Sequence, residues 1–241
     1  MKRILVVAFS FVVVLASCDT LKKVASILAP SELEMALGLK DALSQGLFRS
    51  FAAFEDPNGN PLVRFVFPGD AAKIEKTLRD LGLDKTVDQV TGKFTRATSS
   101  AVRAAKPIFL QSLKDMSIRD AAQILITDNS HAATDYFKTN MSPELMVAFR
   151  PIVDSSIRTE GANTDWKKIT DVYNKIPFIN KPLETSLTDF IAARAIDGMF
   201  SIVANEEEQI RTKYEFRKTD MMKKVFGYAE EELKRRAQQP R

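Results

Sequence analysis

One cysteine, one histidine and one tryptophan occur in 241 residues. A single cysteine rules out an internal disulfide in any compartment, so the stability of the chain must come from its core. It also rules out a zinc site built on thiolates. With one histidine, a metal site would need oxygen ligands, and no loop has calcium-binding spacing. No metal and no cofactor is expected. A phosphate-cradling glycine loop, a nucleophile elbow and a zinc motif are all missing. A surplus of one charge is missing too: the formal net charge is +4, and removal of the leader with Lys2 and Arg3 leaves +2. Lysine and arginine alternate with aspartate and glutamate throughout, which is no footprint for nucleic acid. Internal repeats, low-complexity segments and long linkers are absent. The longest apolar run, Ile4 to Val14, is broken only by Ser10. It is too short for a bilayer, which needs about 20 apolar residues.

What is present begins with that run. Lys2 and Arg3 precede it, Ala16 and Ser17 follow it, and Cys18 comes next. A basic start, a short apolar stretch and small residues before a cut make a secretory signal peptide. Leu15-Ala16-Ser17-Cys18 resembles the lipobox of bacterial lipoproteins. That resemblance makes Cys18 the lipid-attachment residue, residues 1–17 a removed signal peptide and residues 18–30 a lipidated tether. Two or more acyl chains give stable attachment where one does not. The expected location is the bacterial cell envelope, facing the periplasm, with the membrane as a partner through the anchor. The alternative is an ordinary secreted chain in which Cys18 has no role. Leu21 to Leu28 is a short amphipathic stretch whose lysines suit either headgroups or a plain tether.

Residues 31–241 read as one multi-helix domain, mostly α, with at most one short hairpin or extended segment. At 45% hydrophobic and 27% charged, the composition is that of an ordinary globular protein. Ser31-Glu32-Leu33-Glu34 is a capping box. The helix it opens should run to about Glu55 and bury Ala36, Leu43, Leu47, Phe51 and Phe54. Asp56 to Pro61 is a turn. Val63, Phe65 and Phe67 alternate as in a strand, closed by Pro68. Further helices are expected from Asp70 through Ile74, Leu78 and Leu81 to Gly82, and from Asp84 with Val87, Val90, Phe94, Ala97, Ala101 and Ala104 inward. Pro107 should kink or restart that helix. Ser117 with Asp120 opens another. A short helix over His131 to Lys138 should give way at Ser142-Pro143 to a new one over Glu144 to Ile157. After a polar loop over 159–164, Trp166, Ile169, Val172 and Tyr173 mark a helix closed by Pro177. Ser186 with Asp189 opens the longest helix, reaching Thr212. Thr219 or Asp220 opens the last, with Met221, Met222, Val225 and Phe226 inward. Glu230 to Arg236 offers three acid-to-base pairs four residues apart on a solvated helix end.

Six residues are candidates for a binding site. His131, Thr134, Asp135 and Tyr136 lie within a turn of one another. Asp135 could orient His131 as a base, four residues apart on one face. The competing reading is scaffold, with Asn129 or Ser130 capping the helix. Asp197 precedes Gly198 inside a helix, where glycine costs about 1 kcal/mol against alanine. A close helix crossing is the commoner reason for such a glycine. Asp197 could then pair with Arg194, Arg211 or Arg217. Arg211, with Glu206-Glu207-Glu208, reads most simply as a charged helix face.

Several motifs together resemble an uncharacterised bacterial family, domain of unknown function 4197. They are Gly38-Leu39-Lys40-Asp41-Ala42-Leu43-Ser44-Gln45-Gly46, Leu78 to Leu83, Lys114 to Ala121, Ala132 to Phe137, Asp197 to Phe200, Glu208 to Arg211 and Lys224 to Gly227. The chain departs from the family pattern at Asp128 to His131 and at Thr95 to Ser99. The resemblance implies a helical envelope-associated protein and no particular reaction. A binding or structural module, with an envelope protein as partner, is the leading expectation. An envelope hydrolase using His131 and Asp135, or a carrier of an apolar ligand, stands as the alternative.

Overall fold

The computed structural model describes residues 29–56, 63, 70–175 and 187–238, with side chains of 70–73 excepted. Cys18, the tether up to residue 28, the turn after Asp56, Pro177 and Ser186 lie outside the described residues. So does the strand expected from Val63, apart from Val63 itself, which sits in a turn with its side chain buried.

The helices begin where local chemistry satisfies their first amides. Ser31 Oγ accepts from Glu34 N at 3.2 Å, and Glu34 Oε2 accepts from Ser31 N at 2.9 Å. This capping box opens α1, Glu32–Glu55, and its five expected core residues are all buried. Helix α2 spans Asp70–Asp80. It ends where Gly82, at φ +78°, takes the left-handed conformation. Gly82 N then donates to Arg79 O, and Leu83 N to Leu78 O, the two bonds of a Schellman stop. Leu81, expected inward, is 55% exposed, because the stop turns the chain away from the core.

Helix α3, Asp84–Asp115, is continuous through Pro107. The proline lies on the exposed face, where water can satisfy the carbonyl it strips of a donor. The inward small residue is Ala105 and not Ala104, which is exposed; alanines one position apart are not told apart by hydropathy. Helix α4, Ile118–Leu125, is capped by Ser117 Oγ, which accepts from Asp120 N.

The largest departure from expectation is α5. Ala132–Thr159 is a single helix through Pro143 and Pro151. Ser142 does not cap a new helix; its hydroxyl donates back to Lys138 O at 2.5 Å. The stripe Ala133, Phe137, Met141, Leu145, Phe149, Val153 and Ile157 recurs every four residues and is wholly buried. That continuous apolar stripe outweighs the two backbone bonds lost at Pro143 and Pro151, both exposed. Helix α6, Ala162–Tyr173, begins right after Gly161, so the polar loop expected over 159–164 shrinks to a turn. Helix α7, Leu187–Thr212, has 26 residues and is shorter than α3 and α5, not the longest as expected. A 3-10 turn at Tyr214–Phe216 leads to α8, Asp220–Gln238.

The described residues form one all-α domain. The four long helices close a ring: α1 packs on α7, α7 on α5, α5 on α3 and α3 on α1. Helices α4 and α8 cover α1, and α6 covers α3. Edge-to-face contacts between Phe51 and Phe109, and between Phe109 and Phe200, join three of these helices through the centre. Trp166 of α6 meets Phe94 at 5.6 Å and stacks on Phe190. No described helix is long and apolar enough to cross a membrane.

One buried polar atom stands out. Thr95 and Ser99 return their hydroxyl protons to carbonyls four residues back, but Thr98 Oγ1 is buried without a partner among the described residues. An unsatisfied buried hydroxyl costs about 1–3 kcal/mol. Thr98→Val keeps the shape and should raise the unfolding free energy by about 1 kcal/mol in urea denaturation. A loss of stability would mean that the hydroxyl has a partner after all.

Candidate functional site

Two of the six candidate residues, Thr134 and Arg211, converge on a carboxylate that the sequence pattern assigns to the surface. Glu207 lies on α7 and is 3% exposed. It faces the N-terminus of α5, whose first amides lack a local cap: His131 occupies the cap position and makes no side-chain cap bond. Glu207 Oε1 accepts from Ala133 N at 3.0 Å, and Oε2 accepts from Thr134 N at 2.8 Å and Thr134 Oγ1 at 2.7 Å. A capping role that serine or aspartate ordinarily plays from within the turn is filled here from more than seventy residues away. The positive end of the helix dipole favours the negative charge.

Arg211, one turn further along α7, completes the arrangement. Its Nε and Nη2 reach Glu207 Oε1 at 2.9 and 2.8 Å. Its Nη1 donates to Leu125 O and its Nη2 to Ile124 O, the exposed carbonyl end of α4. The guanidinium also sits 5.7 Å from the Phe226 ring. The negative end of α4 thus meets a cation and the positive end of α5 an anion, and the ion pair joins them. This clasp pins both ends of the α4–α5 connection to α7.

Two further groups extend it. Glu206, 6% exposed, accepts from Gln45 Nε2 at 2.6 Å and lies 3.4 Å from Arg49 Nε. Arg217, 3% exposed, donates from Nε to Ile210 O and from Nη2 to Arg211 O and Glu230 Oε2. It therefore closes the C-terminus of α7. The Lys234 hydrogen bond first, then that of Arg217, holds the Glu230 carboxyl below its ordinary range. The tail of α8 is thus partly tied inward, and of its three expected pairs Glu230–Lys234 and Glu232–Arg236 form, while Glu231 meets Lys234.

The reading of 206–208 and Arg211 as a charged outer face is corrected: of the three glutamates, only Glu208 is half-exposed. A signal was present. Leu187, Ile191, Ala195, Met199 and Val203 recur every four residues and are buried, and Glu207 and Arg211 continue that same series.

The other candidates have separate partners. His131 Nε2 is 3.6 Å from Glu208 Oε2, both half-exposed. Asp135 Oδ2 accepts from Asn129 Nδ2 at 2.9 Å, and Asn129 Oδ1 accepts from His131 N. Tyr136 donates to Asp120 Oδ2 at 3.0 Å. The Ser117 hydroxyl and then Tyr136 hold the Asp120 carboxyl low, while burial and then Asp120 push the Tyr136 phenol up. Asp197 pairs with Lys138 at 2.8 Å in a half-exposed contact, not with an arginine. Gly198 faces Phe54, at the distance of ordinary packing.

A recess of about 290 Å3 between the α4–α5 connection, α7 and α8 has Arg211, Thr212, Ser130, Phe226 and Leu233 among its walls. Arg211 is the one candidate residue that lines it. A shallower depression of about 600 Å3 near the start of α1 includes Met35, Arg119, Ile126 and Arg236. No metal-holding cluster occurs among the described residues.

An all-helical domain whose motif residues serve as interhelical caps and close crossings is the class of protein that this geometry defines. Its motifs fall on those features: Gly38 to Gly46 at the α1 crossings, Ala132 to Phe137 and Glu208 to Arg211 at the clasp, Lys224 against Glu34. The family model described as "Protein of unknown function (DUF4197)" matches residues 29–227, and the chain belongs to that family. Searches for similar curated proteins and for similar solved structures return no match.

Proposed function

We propose that the chain is a lipid-anchored, periplasm-facing envelope protein that acts by binding or by structural support and not through a reaction of its own. One observation carries the second half of this reading: the polar residues of the motifs are engaged with one another as caps and ion pairs. A hydrolase would need His131 and Asp135 to act together, whereas His131 Nε2 lies beside Glu208 and Asp135 accepts from Asn129. A carrier would need an enclosed apolar cavity, whereas the recess beside Arg211 is open and partly charged. The first half rests on Leu15-Ala16-Ser17-Cys18 at the end of a signal-peptide pattern.

Two variants test the two halves. Cys18→Ala should abolish incorporation of labelled palmitate and release the chain from membranes. Continued attachment, with no lipid on the wild type, would overturn the anchor. In a host lacking the chain, the folded and lipidated double variant His131→Ala/Asp135→Asn should restore the envelope as the wild type does. Failure of that variant would return the hydrolase.

A further inference from the structure

Helix α1 carries an apolar stripe on its outer side. Leu33, Leu37 and Phe48 are 54%, 45% and 53% exposed. With Lys40 and Ser44 they follow a helical period of four, seven, eleven and fifteen residues from Leu33, so all five share one face. Between Leu33 and Phe48 no carboxylate lies on that face; exposed Glu32 flanks its start and exposed Glu55 follows it at the helix end. Glu34 and Asp41, its flanking acids, are turned aside to α8, where Glu34 meets Lys224 and Asp41 accepts from Thr219 Oγ1.

The rim is basic. Lys106 Nζ stands 5.6 Å from the Phe48 ring. Lys40 Nζ reaches across to Lys114 O at 2.9 Å, and a few residues on, Ile118 opens α4 with 45% exposure, followed by Arg119. Exposed Asp115 is an acid beside these groups; apolar side chains flanked by lysines that can extend their ammonium groups toward water are the pattern of a helix lying in a membrane interface.

We propose that this outer face of α1, with Leu33, Leu37 and Phe48 inward to the lipid and Ile118 beside them, is the surface on which the domain rests on the bilayer. The inference rests on the reading of Cys18 as the lipid anchor. The position of the chain's entry selects the membrane as occupant. Only ten residues lie between Cys18 and Ala29, a span of at most about 40 Å when extended, and the stripe begins four residues further on. The anchor therefore joins the domain at the end of the helix that carries this face. Two or more acyl chains on Cys18 already hold the chain at the bilayer, and an apolar face held beside the lipid adds a weak attachment that sets orientation.

The lone cysteine makes the test clean, since a lipidated Cys18 has no free thiol. The lipidated chain, its Leu37→Cys variant and its Val147→Cys variant are treated with an environment-sensitive thiol dye. They are then placed in vesicles of phosphatidylethanolamine and phosphatidylglycerol carrying a doxyl quencher in the lipid. Val147, 68% exposed on α5, serves as the water-facing control. The expected result is no labelling of the wild type, and lipid quenching at position 37 several-fold stronger than at position 147. Labelling of the wild type would overturn the anchor and this proposal with it. An unlabelled wild type with equal quenching at both positions would overturn this proposal and leave the anchor standing. A dye at position 37 shielded from both the lipid quencher and aqueous iodide would place a protein surface there, a second copy or a partner, and also overturn it.

Discussion

Glu207→Ala should lower the unfolding free energy by about 3–5 kcal/mol, the cost of leaving a buried charge without its partner. Two losses combine. Arg211, 9% exposed along its side chain, keeps its charge with no carboxylate beside it. Ala133 N, Thr134 N and Thr134 Oγ1 lose their acceptor in a place that water does not reach. Arg211→Met should cost less, because its thioether chain fills the space against Phe226 and Glu207 keeps its three donors. Their combination should cost less than the sum of the single changes, the mark of residues that act as one unit. By contrast, Asp197→Ala breaks a half-exposed pair and should change stability by less than about 1 kcal/mol. Urea denaturation followed by circular dichroism measures all four. Equal losses for Glu207→Ala and Asp197→Ala would mean that the clasp does not hold the α4–α5 connection.

The second large effect is expected at Gly38. A Cβ there would stand 2.2 Å from Val225 Cγ2, far inside contact distance, because α8 crosses α1 at this point. The obstructing atom belongs to a short branched side chain with no room to swing away, so α8 must move. Gly38→Ala should cost about 1–3 kcal/mol, as overpacking does, despite the roughly 1 kcal/mol that alanine gains over glycine within a helix. Val225→Ala on its own opens a small cavity and also destabilises. Joined to Gly38→Ala it should restore much of the loss, since one change makes the space that the other fills. Thermal unfolding of the three variants decides the point. If the double variant is no better than the sum of the two singles, the crossing is looser than its geometry indicates.

Both effects arise at long-range contacts, and the sequence reading was weakest at those. It read Ser31 with Glu34, Ser117 with Asp120 and the stop at Gly82 correctly, because each works within a few residues. It misread Ser142-Pro143, where a start signal lies on the outer side of a seven-member apolar stripe. The stripe contributes far more burial than the proline removes, so the helix runs on. It read Gly38 and Gly46 as family motif residues without the reason for them; Val225 and Val203 supply it. It set His131 beside Asp135 on spacing alone, whereas Asn129 and Glu208 claim them. Arg211 was singled out, but not its partner, Glu207.

The amino-acid sequence by itself determined a mostly α-helical chain, most of its helix starts and stops, and the apolar periods that give each helix an inner side. These depend on bonds between residues up to four apart and on hydrophobicity, which are local properties. Only the tertiary structure decided which charges are inside. Glu206, Glu207, Arg211 and Arg217 have the composition of a surface and the burial of a core. A charge is tolerated away from water only where donors and acceptors converge on it, and here those come from helix ends brought together by folding.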